Sequence, residues 1–304
     1  MAWYDEDSWA TAAFAANRST IAMTLFLALA LPILVHLYIY RSRASTTTPT
    51  FLVLGPSASG KTSLVTKLER GTAAQTHTSI DPLSILAVLP SSVRPASAKY
   101  RSSHDDASLA PVPILLKDTP GHAKLRQHAT TLLESSPKGI IFVVDSTALS
   151  SSTTDGEPNK QLAETAEYLH DALLILQRQY ANATSSKIKE ETPFLVAANK
   201  LDLFTSLPAN VVKTTLENEI TKIREARAKG LLSVGTIGKG EGLGSTEEEE
   251  SDEEKDVLGG TSDGKFSFDQ MREYNLEVVC KGGNVVGEEG PGVDAWWEWI
   301  AEQI

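Results

Sequence analysis

The sequence is poor in cysteine; it has one, Cys280. A single thiol excludes an internal disulfide and suits a reducing compartment for the folded part. A basic excess is also missing: 28 Lys and Arg stand against 39 Asp and Glu, a formal net charge of −11. That balance excludes a basic face that would read nucleic acid. Most of the imbalance is local. Glu241–Asp256 (EGLGSTEEEESDEEKD) holds nine acids and one lysine, a net of −8, so the rest of the chain is near neutral. A third absence is the lack of any Asp, Glu, Lys or Arg across Thr20–Tyr40 (TIAMTLFLALALPILVHLYIY).

That uncharged run is long enough to matter. At about 1.5 Å per residue, about 20 helical residues cross a hydrocarbon core of ~30 Å. Pro32 is tolerated in such a span. A cleaved signal peptide wants a basic start and a shorter apolar core, whereas this chain opens with Asp5, Glu6 and Asp7. The expectation is a transmembrane helix at 20–40, a short head at 1–19 and a linker at 41–49. Arg41 and Arg43 follow the run directly, which puts its C-terminal side in the cytosol.

With 41% hydrophobic residues a proper core is available, and the folded domain is expected at 50–304. Apolar strands are read at Phe51–Leu54, Leu83–Leu89, Val112–Leu116, Gly139–Val144, Phe194–Ala198 and Asn275–Val279. Helices are expected at Lys61–Arg70, Gln161–Tyr180, near Ala209–Ala228 and at Gly292–Ile304. Helix alternating with strand predicts an α/β fold with a mostly parallel sheet and helices on both faces. Two stretches read as loops without a core: the Ser- and Pro-rich segment from Pro90 to Pro111, and an acidic insertion at about 235–266.

The chemistry starts at Gly55-Pro-Ser-Ala-Ser-Gly-Lys61-Thr62, between a strand and a helix. Backbone N–H groups from Ser57, Ala58, Ser59, Gly60 and on to Ser63 can form a concave anion site at a helix N-terminus. Lys61 adds a point charge for outer phosphates, and the Thr62 hydroxyl is a hard oxygen for Mg²⁺. Asp118-Thr-Pro-Gly-His122 follows the next strand. There Asp118 would hold Mg²⁺ through water and the Gly121 N–H would face a terminal phosphate. His122 is either a water-orienting catalytic residue or a solvated neighbour. Asn199-Lys200-Leu-Asp202 ends another strand. The Asp202 carboxylate can accept from the two donors that guanine has and adenine lacks. Asn199 would tie this loop to the phosphate loop, and Lys200 would cover the base. In Thr72–Asp81, Thr78 is a second candidate Mg²⁺ ligand, with Thr76 as rival. Cys280 and Lys281 follow the last strand, where backbone N–H groups can face the guanine carbonyl.

Taken in order, Gly55–Thr62, Thr78, Asp118–His122, Asn199–Asp202 and Cys280–Gly282 resemble the five motifs of the Ras-like GTPases, over residue 50 to the end. A domain of this kind on an N-terminal membrane span, with the segments THTSI and DTPGHAKLR, resembles the signal recognition particle receptor beta-subunit family. The resemblance implies GTP and Mg²⁺ as cofactors and a single-pass protein of the endoplasmic reticulum membrane, head lumenal and GTPase domain cytosolic. It implies docking of the receptor alpha subunit's N-terminal domain in the GTP state, with ribosome and translocon met indirectly. Slow hydrolysis is expected, because Ser57 stands where many Ras-like proteins have glycine and leaves less room for an arginine finger. The alternative is an Arf- or Sar-like trafficking GTPase. It is disfavoured by the span, since cycling needs a releasable anchor.

Overall fold

The structure is a computed structural model that describes residues 18–43, 48–98, 111–150, 159–182, 191–238, 257–260, 264–287 and 290–304. The chain divides into two compact units, Met1–Thr47 and Thr48–Ile304.

In the first unit one helix is described, α1 (Arg18–Arg43), with Pro32 inside it. Its apolar side chains point outward on every side: Met23 is 74% exposed, Phe26 73% and Leu34 64%. Among the described residues no helix is long and apolar enough to cross a membrane. The head before residue 18 lies outside the described residues.

The second unit is built on a six-stranded sheet. Its strands are β1 (Thr50–Leu54), β2 (Leu83–Val88), β3 (Pro113–Asp118), β4 (Gly139–Asp145), β5 (Thr192–Asn199) and β6 (Leu276–Gly282), in the order β2-β3-β1-β4-β5-β6. The pairs are parallel except β2 with β3, where Leu86 faces Leu115 in an antiparallel ladder. The continuous apolar runs are explained by burial on both faces. Leu52, Leu54, Ile140, Phe142 and Val144 point into one core cluster, and Phe51, Val53, Ile141 and Val143 into the other.

Helices cover both faces. The second cluster is closed by α2 (Lys61–Arg70), through Leu64, Val65 and Leu68, and by α6 (Asp294–Glu302), through Trp296, Trp299 and Ile300. Gly139 lets Phe51 and Trp299 meet edge to face at 6.2 Å, because a Cβ there would stand 2.8 Å from the Phe51 ring. The first cluster is closed by α3 (Arg126–Glu134), α4 (Lys160–Ala181) and α5 (Ala209–Gly238), through Leu133, Leu169, Leu173, Leu216 and Ile220. The α4 start is capped by the Asn159 side chain, which accepts from Gln161 N and Leu162 N.

Two expectations need correction. Helix α3 was not expected, although Leu125, Ala129, Leu132 and Leu133 have helical spacing in a nine-residue element. The insertion read as 235–266 is also too wide. Helix α5 continues to Gly238, and Leu258 and Phe266 are buried in the core. The Gln177 carboxamide holds the returning chain, donating to Val257 O at 2.8 Å and accepting from Gly259 N at 2.9 Å. The acidic composition of the middle masked these apolar ends. The run Glu241–Asp256 lies outside the described residues.

Phe266 packs edge to face on Phe268 and beneath the Arg224 guanidinium. Truncation there should act as a core cavity. We expect Phe266→Ala to lower stability by about 3 kcal/mol, measured by denaturant unfolding followed through the tryptophans of α6. A loss below about 1 kcal/mol would show that the segment is not part of the core.

Candidate functional site

Strand β1 lies inside the sheet; the chain leaves it toward β2 on one side, and leaves the neighbouring β3 toward β4 on the other. Ligand crevices of α/β sheets open at such a switch point, beyond the carboxyl ends of the strands. A cavity of about 560 Å³ opens there, lined among others by Lys61, Thr62, Thr78, Gly121, Asn199 and Asp202.

The loop after β1 is shaped by two glycines. Gly55 has φ 142° and Gly60 φ 93°, both in the region that favours glycine. A Cβ on Gly55 would overlap the Val143 carbonyl oxygen, and one on Gly60 the Asn199 amide. The Lys61 ammonium, on the first turn of α2, donates to Pro56 O at 2.7 Å. Gly121 lies against the same ammonium and leaves no room for a side chain.

At the end of β3, Asp118 is 1% exposed and its Oδ2 accepts from the Thr62 hydroxyl at 2.7 Å. Its Oδ1 is buried with no hydrogen-bond partner. Burial pushes the Asp118 carboxyl up, against the downward pull of the Thr62 hydrogen bond and of Lys61. Burial likewise pushes Lys61 down to about 8, partly opposed by Asp118. A buried ammonium, an unsatisfied carboxylate oxygen and a hydroxyl at one helix start can receive a polyanion and a hard cation. Among the described residues no cluster of three or more His, Cys, Asp or Glu could cage a metal by itself. Any cation here would therefore need oxygens from a ligand and from water, as Mg²⁺ does.

The far end of the cavity is built by the loop after β5. Asn199 is 2% exposed, and its Nδ2 donates to Ser59 O at 2.9 Å. Its Oδ1 accepts from Lys200 N at 2.8 Å and from Val285 N at 3.2 Å. Lys200 adopts φ 65°, rare for a residue with a side chain, and its ammonium pairs with Asp145 at the end of β4. Burial alone would raise the Asp145 carboxyl. Hydrogen bonds from Lys200 and Thr147 outweigh it and hold the group below the usual range.

A family model described as signal recognition particle receptor beta subunit matches residues 46–274. The chain belongs to that family. The signal recognition particle receptor subunit beta of Saccharomyces cerevisiae is 33% identical to it over 263 residues, 84% of each chain. Among solved structures, the receptor SRb-GDP-Mg from Chaetomium thermophilum is 34% identical with a TM-score of 0.58, covering 85% of this chain and 100% of that one. The SRb-GTP/SRX complex from the same organism is 32% identical with a TM-score of 0.59, covering 84% and 98%.

In this family member the cavity gathers Ser57, Ala58, Gly60, Lys61, Thr62, Ser63, Thr78, Gly121, Asn199, Lys200 and Asp202. Ser59 backs the loop, its hydroxyl donating to Pro56 O at 3.0 Å. Thr76 and Thr78 both line the cavity, and the Thr76 hydroxyl already pairs with Ser63 at 2.8 Å. His122 is not brought in. It is exposed and caps a short 3₁₀ turn, Ala123–Leu125, its Nδ1 accepting from Lys124 N. Cys280 and Lys281 are not in a loop either, because β6 runs on to Gly282. The Cys280 thiol donates to Ala209 O, and burial pushes it up to about 12. Lys281 O accepts from the Trp296 indole. The cavity is lined instead by Val285 and Val286, further along the chain, which sequence reasoning missed. Asp145 was missed too; the signal was an acid closing the apolar run GIIFVV.

The Lys61 shift has a pH consequence. Its folded-state value, about 8, is below the ordinary 10.5, so between these values the unfolded chain holds a proton that the folded chain lacks. Stability of the ligand-free protein should therefore rise from pH ~8 to ~10.5, by up to about 1.4 kcal/mol per unit. Unfolding midpoints across that range, compared with Lys61→Met, check it. A slope that persists in the variant would assign the effect elsewhere.

Proposed function

We propose that this chain is a GTP-binding, membrane-anchored subunit of the signal recognition particle receptor. In its GTP state it docks the N-terminal domain of the alpha subunit at the endoplasmic reticulum. One observation supports this most. A single cavity joins the loop residues Ser57 to Thr62 to the Asn199–Asp202 loop, and the Thr62 hydroxyl that lines it is bonded to the buried Asp118. The first loop suits phosphates and the second suits guanine.

Residues are assigned as follows. Backbone N–H groups of Ser57–Ser63 and the Lys61 ammonium would take the phosphates, and Gly121 N–H the terminal one. Thr62, Asp118 and a switch-loop threonine, Thr78 or Thr76, would hold Mg²⁺. The ion would neutralise phosphate charge and satisfy the buried Asp118 Oδ1. Asp202 would accept from the guanine donors. The exposed position of His122 and the bulk of Ser57 favour slow hydrolysis, so the bound GTP acts chiefly as a switch.

The partner surface is supported by exposed apolar side chains beside the cavity. Ile80 is 69% exposed, Leu83 52%, Leu86 57% and Val88 49%. They lie on the switch loop and β2. Order in that loop follows the terminal phosphate, so the surface is complete in one nucleotide state. A hundredfold preference for that state needs about 2.7 kcal/mol of differential affinity.

The anchor is α1. From Ile21 to Val35 its side chains are almost all apolar and exposed, without the polar face of a surface helix. Arg41 and Arg43, directly after the apolar run, favour a lumenal head and a cytosolic 48–304.

Competition for a labelled guanine nucleotide tests the first step. GTP should displace the label and ATP should not, and Asp202→Asn should shift preference toward xanthine nucleotides. Equal displacement by ATP and GTP would overturn the reading. Titrating the alpha subunit's N-terminal domain against each loaded form tests docking. Binding should be about a hundredfold tighter with GTP, and Leu86→Glu should weaken it at least tenfold without changing nucleotide affinity. Matching affinities for the GTP and GDP forms would refute the switch. For the anchor, the full-length protein should stay in the membrane pellet after alkaline carbonate extraction; release would exclude a span.

A further inference from the structure

The base subsite has a builder that none of the motifs contains. We propose that Asn284 is a positioning residue for guanine recognition. Its carboxamide folds the chain after β6 so that Gly287 backs the Asp202 side chain and Val285 walls the cavity. This rests on the guanine-nucleotide reading above.

Asn284 is completely buried. Its Nδ2 donates to Gly287 O at 2.7 Å, and its Oδ1 accepts from Gly292 N at 2.6 Å. Its own backbone N–H donates to Gly292 O at 2.9 Å. One side chain therefore fixes both the near and the far side of the turn. Between these anchors, Val285 is held at both ends of its peptide group. Its N–H donates to Asn199 Oδ1, and its carbonyl accepts from the Lys67 ammonium of α2 at 2.6 Å. The wall is thus tied to the helix that starts at the phosphate loop.

Gly287 is the contact that matters for the base. A Cβ placed on it would stand 2.6 Å from both Cβ and Oδ2 of Asp202, so the Gly287 backbone lies flat against that side chain. No hydrogen bond to the Asp202 carboxylate is present among the described residues. Its direction is set by packing, and Gly287 supplies the backing surface. Remove the Asn284 carboxamide and Gly287 is no longer held; Asp202 then loses its backing and its aim. The cost should fall on base discrimination, because a site built to hydrogen-bond a donor pair depends on the acceptor's placement.

A residue that only stabilised the loop would weaken all nucleotides alike. The test therefore compares GDP with IDP, which lacks the exocyclic amine and so one of the two donors that Asp202 accepts. It uses the full-length chain in detergent and measures both affinities and the GDP release rate. In Asn284→Ala, the GDP-over-IDP preference should fall about tenfold and GDP should leave about tenfold faster. Gly287→Ala keeps every Asn284 hydrogen bond but pushes a methyl group into Asp202. It should lose the preference in the same way, and it remains informative if Asn284→Ala does not fold. A wild-type preference in Gly287→Ala, or equal weakening of GDP and IDP in Asn284→Ala, would overturn the proposal. A wild-type protein with no preference for GDP over ADP would instead remove the guanine reading itself.

Discussion

The Asn199 carboxamide meets three separate loops, and the arrangement of the cavity follows from those contacts. Its NH₂ group holds the phosphate loop at Ser59, while its oxygen receives both Lys200 N–H and Val285 N–H. A buried amide bonded to three backbone groups is held firmly, and each segment it joins loses freedom. Gly60 has to be glycine for the same reason, since a methyl there would overlap this amide. The two ends of the cavity are therefore one assembly, tied together through a single side chain.

Around that amide the site is under electrostatic tension. Lys61 and Asp118 are both buried, and burial disfavours the charged form of each. Each relieves the other only in part, and Asp118 keeps one oxygen unsatisfied. A polyanion beside Lys61 and a cation beside Asp118 would each favour the charged form that burial disfavours. Such a domain gains order from its ligand, which is the property a nucleotide switch requires.

The sequence made the strands legible because they are buried on both faces and so read as unbroken apolar runs. The phosphate loop, Asp118 and the Asn199–Asp202 loop were legible because each ends such a strand, at the edge where ligands bind. What stayed hidden has physical causes. Helix α3 is only nine residues long, too short for its period to stand out from the switch before it. The end of β6 was misread because Cys280, Lys281 and Gly282 are not typical strand residues. Pairing with β5 carries the strand to Gly282 regardless. The cavity is therefore lined beyond the strand, by Val285 and Val286, and not by Cys280 or Lys281. Leu258 and Phe266 were obscured by acidic neighbours, since composition averaged over a long window hides single core residues.

Strand β2 ends the sheet, and among the described residues it pairs with β3 alone. Among the described residues no strand pairs with its outer edge, beside the exposed Leu86 and Val88. Such an edge is a template for adding a strand from any other chain, including another copy of this one. A chain laid along this edge would take its backbone groups and the two apolar side chains out of contact with water together.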